Sequence, residues 1–157
     1  MFKGIILHWT AGNYTPCDTD ILHYHYIIDG SGKVFTGRYS PDDNLNCIDN
    51  KYAAHCGGGN TGRIGISICC RKNKNTPPTK VQIEAMCKKA AECCIEYNIS
   101  PSKVQTHAEF GITHPKTTSF GKIDINSIPY DNINGIEECG SYLRKKVLWY
   151  YIKLKEK

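Results

Sequence analysis

The sequence predicts one α/β domain built in two or three layers, and three observations support this fold class. The chain has 157 residues, of which 40% are hydrophobic, and this size fits a single domain with one core. Short apolar runs bounded by turn residues indicate several strands. Two longer segments repeat apolar residues at helical spacing instead. We therefore expect a single domain over residues 1–157, with mixed strands and separated helices.

Several short segments have the residue types of buried or half-buried strands. They are GIILHWT at 4–10, YHYIID at 24–29, KVFTGR at 33–38, RIGISICC at 63–70 and VQTH at 104–107. The second and third flank the turn Gly30-Ser31-Gly32 and predict a β-hairpin. Histidines fall where several of these strands end, which is where ligands tend to bind in open α/β sheets.

Two helices are expected. Thr79 and Gln82 form a capping box, and apolar residues then follow at helical spacing from Ile83 to Tyr97. A second helical period runs from Ile136 to Leu154 and predicts a closing helix at about 135–157.

The net charge of +5 lies entirely in the C-terminal tail. Residues 144–157 carry six basic side chains against one acid, Glu156, and the rest of the chain is balanced. The tail is interpreted as a surface helix with solvated lysines. The alternative is weak contact of this basic helix with an anionic wall polymer or lipid surface. No nucleic-acid-binding motif is visible in the body, so we expect no nucleic-acid partner.

The chain also lacks a membrane-spanning pattern. It has no run of eighteen apolar residues, and MFKGIILHW is too short and too mixed for a signal peptide. We expect a soluble product made in the cytoplasm.

The nine cysteines are odd in number and have no C-x-x-C spacing, so they are interpreted as mostly free and buried. A structural zinc or a late disulfide is the alternative.

Histidines offer two candidate metal sites. His23 and His25 would share one face of a strand, although their apolar neighbours favour a structural role. The other combination takes His8 and His107 from strand ends and Asp124 from a later loop. Zinc accepts two nitrogens and a carboxylate and keeps a fourth position for water. Lys122 would suit a developing oxyanion beside such a site, but spacing alone does not decide.

Four blocks of sequence carry a family resemblance. They are HWTAG at 8–12, HYHYIIDGSGKVFTGR at 23–38, AAHCGGGNTGRIGISI at 53–68, and THAEFG at 106–111 with GKID at 121–124. In this order they resemble the zinc-dependent N-acetylmuramoyl-L-alanine amidases, the family of phage lysozyme-type amidases and peptidoglycan recognition proteins. The resemblance implies a single domain with a central mixed β-sheet flanked by helices, and one Zn²⁺ ion at the floor of a groove.

The resemblance also implies residue roles. The zinc ligands would be His8, His107 and Asp124. The catalytic residues would be Tyr24 and Lys122. The substrate-binding residues would be His25, His55, Asn60 and Thr61.

Two departures from the family pattern stand out. Ser67 occupies the position where some members carry a catalytic glutamate. The segment between the first two blocks is short, so a helix that often borders the groove is expected to be reduced or absent.

By resemblance, the chain is an enzyme that cuts the amide bond between N-acetylmuramic acid and L-alanine in peptidoglycan. We expect a monomeric phage or prophage endolysin, made in the host bacterial cytoplasm without a signal peptide and acting at the cell wall after release. A bacterial amidase delivered by another route would look similar. The functional alternative is a non-catalytic module that binds peptidoglycan or muropeptides. Asp124 beside Lys122 favours hydrolysis, because non-catalytic members characteristically lose the third zinc ligand.

Overall fold

The computed structural model describes residues 1–72 and 75–157. The strands and α-helices of these residues are, in chain order, β1 (Gly4–Trp9), α1 (Asp18–His23), β2 (Tyr26–Ile28), β3 (Val34–Thr36), β4 (Arg63–Ile68), α2 (Lys80–Glu96), β5 (Val104–Thr106), α3 (His107–Thr113), β6 (Ser127–Ile128), β7 (Ile133–Asn134) and α4 (Ile136–Lys155). Short 3₁₀ turns lie at Pro41–Leu45, Pro101–Lys103 and Pro129–Asp131.

The central sheet is mixed, as predicted. Its strand order is β3-β2-β4-β1-β5. β1 is parallel to β4 and β5, and β2 is parallel to β4. Among the described strands of this sheet, only the predicted hairpin, β2 with β3, pairs antiparallel. The parallel strands therefore end at one common edge, and this edge is where side chains for a site can meet.

The two faces of the sheet have different surroundings. Ile5 and Leu7 of β1 belong to the main core, which also contains the buried side chains of α2 and α4. Ile6 points to the other face and joins a small cluster with Phe110 of α3. Side chains alternate between faces along a strand, so His8 lies on the same face as Ile6. The sheet thus separates the helical core from the face that carries His8.

The two long helices agree with the sequence prediction. The hydroxyl of Thr79 accepts from the Gln82 N–H at 3.2 Å, and the Gln82 side chain accepts from the Thr79 N–H at 3.1 Å. This reciprocal capping fixes the start of α2. α4 ends close to the C-terminus, as expected. Among the described residues, no helix has the length and apolar character needed to cross a lipid bilayer.

Two local expectations were wrong. The predicted strand 104–107 ends at Thr106, because Thr106 and Glu109 form a second capping box that starts α3 at His107. The predicted His23-x-His25 strand face does not exist either, because His23 is the last residue of α1. In the same segment, where a helix was expected to be reduced or absent, α1 is a short helix of six residues.

Candidate active site

The three predicted ligand side chains converge at the carboxyl edge of the sheet. His8 Nδ1 lies 3.1 Å from Asp124 Oδ2. His107 Nδ1 lies 3.3 Å from each oxygen of the same carboxylate. One ligand atom from each residue falls within 4.8 Å of the other two, and all three residues are buried. Two imidazole nitrogens and a carboxylate are therefore gathered around one point.

The strand register explains how these distant residues meet. Leu7 of β1 pairs with Thr106 of β5, so His8 and His107 both come directly after a paired position. Asp124 is held by its backbone, because its carbonyl accepts a 2.6 Å hydrogen bond from the Ala108 N–H. That N–H belongs to the first turn of α3, where amides lack partners within the helix. The start of α3 therefore positions two members of the cluster.

The electrostatics of the cluster favour an ionised Asp124. Burial alone would raise the pKa of its carboxyl, but the hydrogen bond with His107 and the closeness of both imidazoles hold that pKa well below the usual range. Burial lowers the pKa of His8 to about 4. Burial also opposes protonation of His107, but its hydrogen bond with Asp124 prevails and raises its pKa to about 9. A buried anion beside two imidazoles is a donor set that fits zinc, which would compete with the proton on His107.

His107 and Asp124 line an open cleft of about 570 Å³, together with Tyr24 and Lys122, and His8 lies buried behind them. The Tyr24 ring centroid is 5.1 Å from that of His8. Burial raises the pKa of Tyr24, so its phenol stays protonated and can donate a hydrogen bond. Lys122 is exposed in the loop that carries Asp124. The cleft therefore offers a phenol and an ammonium group beside the three converging ligand atoms.

His25 lies outside this cleft, contrary to the expectation of substrate contact. It is fully buried. Its Nδ1 accepts from the Gly65 N–H at 2.9 Å, and its Nε2 donates to the Asn44 side chain at 2.9 Å. Burial lowers the pKa of His25 to about 4. The ring is therefore a neutral buried link between β2, β4 and the 3₁₀ turn at Pro41–Leu45.

Asn60 and Thr61 also lie outside the cleft. The Asn60 side-chain oxygen accepts from the N–H groups of His55 and Cys56, at 2.9 and 2.8 Å. Asn60 and Thr61 instead line a separate depression beside Tyr52. Asn60 therefore shapes the loop that carries His55, and the predicted substrate contacts of Asn60 and Thr61 would have to be made away from the cluster.

His55 lines the cleft but is only 6% exposed. Its Nδ1 is 3.0 Å from His8 Nε2, and its Nε2 is 3.2 Å from the Arg63 carbonyl oxygen. The ring packs on Gly65, where an added Cβ would collide with it. Both ring nitrogens of His55 are thus engaged within the protein, which leaves little capacity for a hydrogen bond to substrate.

Two serines complete the surroundings of the cluster. Ser67 is the register partner of His8 on β4, and its buried hydroxyl has no hydrogen-bond partner among the residues that the structure describes. A serine there cannot replace a glutamate as general base. Ser119 was not predicted. It is fully buried, and its hydroxyl lies 3.0 Å from His107 Nε2 and donates to the Gly57 carbonyl at 2.7 Å. No local sequence pattern distinguishes Ser119 from its neighbours.

An α/β domain with a His-His-Asp cluster, a phenol and an ammonium group in one cleft has the features expected of a hydrolase with a metal site. Comparison with known proteins identifies the family. The profile of the N-acetylmuramoyl-L-alanine amidase family matches residues 2–122, and the chain belongs to this family. The match ends at Lys122, two residues before Asp124. No curated protein matches the chain.

Solved structures with similar folds include enzymes and recognition proteins. The amidase AmiD from E. coli is 18% identical, with a TM-score of 0.52 over 80% of this chain and 52% of AmiD. The peptidoglycan recognition protein SD from Drosophila is 22% identical, with a TM-score of 0.51 over 74% of each chain. The amidase LysC from Clostridium intestinale URNW is 20% identical, with a TM-score of 0.49 over 69% of this chain and 72% of LysC. The first two similarities establish the amidase and peptidoglycan recognition protein fold.

Proposed function

We propose that this chain is a zinc-dependent amidase that hydrolyses the bond between N-acetylmuramic acid and L-alanine in peptidoglycan. Membership of the amidase family supports the reaction. The observation that carries the proposal is the convergence of His8, His107 and Asp124 beneath a cleft lined by Tyr24 and Lys122. His8, His107 and Asp124 would hold the metal.

The residues of the cleft have separate roles in the proposed reaction. When bound, zinc supplies Lewis acidity, which activates water near neutral pH and polarises a carbonyl group. Attack of water on the scissile carbonyl places negative charge on the substrate oxygen. The Lys122 ammonium and the Tyr24 hydroxyl are the donors that would stabilise this charge, a role in which one lost donor costs about a hundredfold or more in rate. The leaving amine takes a proton from Tyr24, Lys122 or water.

The substrate class receives further support from the structural neighbour AmiD. That enzyme was solved with anhydro-N-acetylmuramic acid-L-Ala-D-gamma-Glu-L-Lys, which is named as its substrate. A muramic acid carrying a short peptide is the ligand that the proposed reaction requires.

Product analysis tests the reaction. Purified protein is incubated with peptidoglycan, with and without a chelator, and the products are separated. New L-alanyl amino termini without new reducing sugars, lost with chelator and restored by zinc, are the expected result. New reducing ends would indicate a glycosidase. Binding to peptidoglycan by zinc-loaded protein without any product would indicate the non-catalytic module.

We further propose that the chain acts as a phage or prophage endolysin, made in the host cytoplasm and active at the wall after release. The resemblance of its four sequence blocks to phage lysozyme-type amidases supports this setting. Expression in a susceptible bacterium tests it. Lysis is expected only when a membrane-permeabilising protein is produced at the same time, and lysis by this chain alone would show another route to the wall.

The surface of α4 supports a weak contact with an anionic lipid surface. Leu148, Trp149 and Ile152 are 46%, 55% and 48% exposed and form one stripe of the helix. Lys145 and Lys153 lie one turn to either side of Trp149, and the Lys153 ammonium is 5.8 Å from its ring centroid. Apolar side chains framed by lysines suit a lipid interface. Because α4 covers the sheet face opposite His8, this contact would leave the cleft facing away from the lipid.

Vesicle sedimentation tests this contact. We expect binding to phosphatidylglycerol vesicles that is lost in high salt or in Lys145→Glu and weakened in Trp149→Ala. Ile48→Ala, which changes another exposed apolar residue, is the control and should bind normally. Equal binding to phosphatidylcholine vesicles, or binding only to an anionic wall polymer, would contradict the lipid contact.

A further inference from the structure

We propose that His55 and Ser119 are positioning residues, which fix the proton of each ligand histidine on Nε2 so that both rings present Nδ1 to the metal. This inference rests on the proposed metal-binding role of His8, His107 and Asp124. It replaces the expected substrate contact of His55 with a role inside the protein, and it gives a role to Ser119.

His8, His55 and the Arg63 carbonyl form a series of hydrogen bonds, and the carbonyl oxygen at its end fixes the direction of each bond. The Arg63 carbonyl oxygen, 3.2 Å from His55 Nε2, can only accept. His55 Nε2 therefore carries a hydrogen, and Nδ1 of the neutral ring is an acceptor. His8 Nε2 lies 3.0 Å from that acceptor, so it must donate. The neutral His8 ring is left with a lone pair on Nδ1, which points to Asp124.

With a cation between His8 and Asp124, reversing this series of hydrogen bonds would bring two acceptors together. If His8 carried its hydrogen on Nδ1, its Nε2 would need a donor, and the neutral His55 ring would have to supply one from Nδ1. His55 Nε2 would then face the Arg63 carbonyl without a hydrogen between them. The buried carbonyl thus sets the tautomer of His55, and His55 sets that of His8.

Ser119 acts on His107 by the same logic. A serine hydroxyl has one hydrogen, and Ser119 donates it to the Gly57 carbonyl at 2.7 Å. The hydroxyl oxygen can therefore only accept from His107 Nε2, 3.0 Å away. His107 keeps a hydrogen on Nε2, and the hydrogen that it gives up on metal binding is the one on Nδ1. Because Ser119 is fully buried, water does not compete for this bond.

The hydrogen bonds of His55 and of Ser119 have the same consequence for the two ligand histidines. Without a proton or cation between them, the Nδ1 lone pairs of His8 and His107 would both face the Asp124 carboxylate at 3.1 to 3.3 Å. A divalent cation resolves that repulsion. Hydrogen-bond partners of this kind orient ligand histidines, and their loss typically weakens metal affinity about 10- to 100-fold.

Nitrogen NMR of protein labelled at its histidines tests the proposal without any variant. In zinc-loaded protein, both His8 and His107 should show coordination through Nδ1 and a retained Nε2 hydrogen. Coordination of either histidine through Nε2 in zinc-loaded protein would overturn the proposal while leaving metal binding and hydrolysis intact.

Matched variants extend the test to zinc affinity, measured by competition with a chelator. His55→Leu removes the acceptor for His8, whereas His55→Asn can retain one. Ser119→Ala removes the acceptor for His107, and Ser127→Ala makes the same change at another buried serine. We expect about 10-fold or greater weakening in His55→Leu and Ser119→Ala, with smaller effects in His55→Asn and Ser127→Ala. Unchanged zinc affinity and unchanged tautomers in the first two variants would show that the assignment is wrong.

Discussion

Lys122 and Lys116 lie in the same exposed segment after α3, but of the two only Lys122 lines the cleft. If Lys122 stabilises the oxyanion, Lys122→Ala should lower kcat by about a hundredfold or more while zinc content stays unchanged, because lysine is not a ligand. Lys116→Ala is the matched control and should retain activity within about twofold. Release of L-alanyl amino termini and metal analysis provide the two measurements. Full activity in Lys122→Ala would remove the residue from the mechanism.

His25 leads to a prediction about acid stability. Its folded pKa of about 4 is below the usual value near 6.5, so the unfolded chain binds the proton first. The stabilisation is therefore complete above about pH 6.5 and is lost as the pH falls toward 4. At 1.36 kcal/mol per pH unit, His25 accounts for a loss of about 2 kcal/mol between pH 6.5 and 5.

His25→Gln tests this value, because glutamine can hydrogen-bond to both neighbours of His25 but does not titrate. The variant should be less stable at pH 7 yet lose about 2 kcal/mol less than the original protein on going to pH 5. Urea unfolding at both pH values measures the difference. His8 and His55 titrate in both proteins and cancel in the comparison. Parallel losses of stability would mean that His25 does not remain neutral when buried.

Residue roles were less predictable than residue positions. The resemblance selected His8, His107 and Asp124, and the structure brings these three together. It also assigned His25 and His55 to substrate, but their ring nitrogens bond to partners supplied elsewhere in the chain, including Asn44 and Arg63. The sequence does not say which buried acceptor a ring will meet, so roles of this kind require the fold.

At the level of elements, local start signals can identify short helices that apolar period misses. Thr79 and Gln82 marked α2 correctly. The equivalent pair Thr106 and Glu109 marks α3, a helix that was not predicted because seven residues are too few to show a helical period. A capping box in a short segment therefore carries information that periodicity misses.

The packing of α4 supports a stability prediction with an internal control. Leu143 is 1% exposed in the core shared with α2, whereas Leu148 on the same helix is 46% exposed. Leu143→Ala should lower the free energy of unfolding by about 2–5 kcal/mol, because it removes buried methyl groups and leaves a cavity. Leu148→Ala should change it by about 0.5 kcal/mol or less. Denaturant unfolding measures both, and equal losses would show that α4 does not pack in this orientation.

At the level of the whole molecule, the main hydrophobic core and the candidate active site lie on opposite faces of the sheet. The main core lies between the sheet and the pair α2 and α4, whereas the cluster lies on the opposite face. Apolar runs and capping signals are local, so they predicted the strands and helices on which this division rests. The meeting of β1, the start of α3 and the loop at Asp124 depends on strand pairing across the chain. Residue types offered this combination as one of two, spacing could not decide between them, and the family resemblance selected it.

Because the three proposed ligands come from distant parts of the chain, metal binding should stabilise the whole fold. His8 and Asp124 are separated by 116 positions, and the unfolded chain does not hold them together. Zinc at a hundred times its dissociation constant should add about 2.7 kcal/mol. At about 2–4 °C per kcal/mol for a chain of this size, Tm should rise by about 5–10 °C. Asp124→Asn should abolish most of this rise, whereas Asp42→Asn, at an exposed position, should retain it. Thermal unfolding of the metal-free and zinc-loaded forms provides the measurement, and an equal rise in both variants would place the stabilising metal away from Asp124.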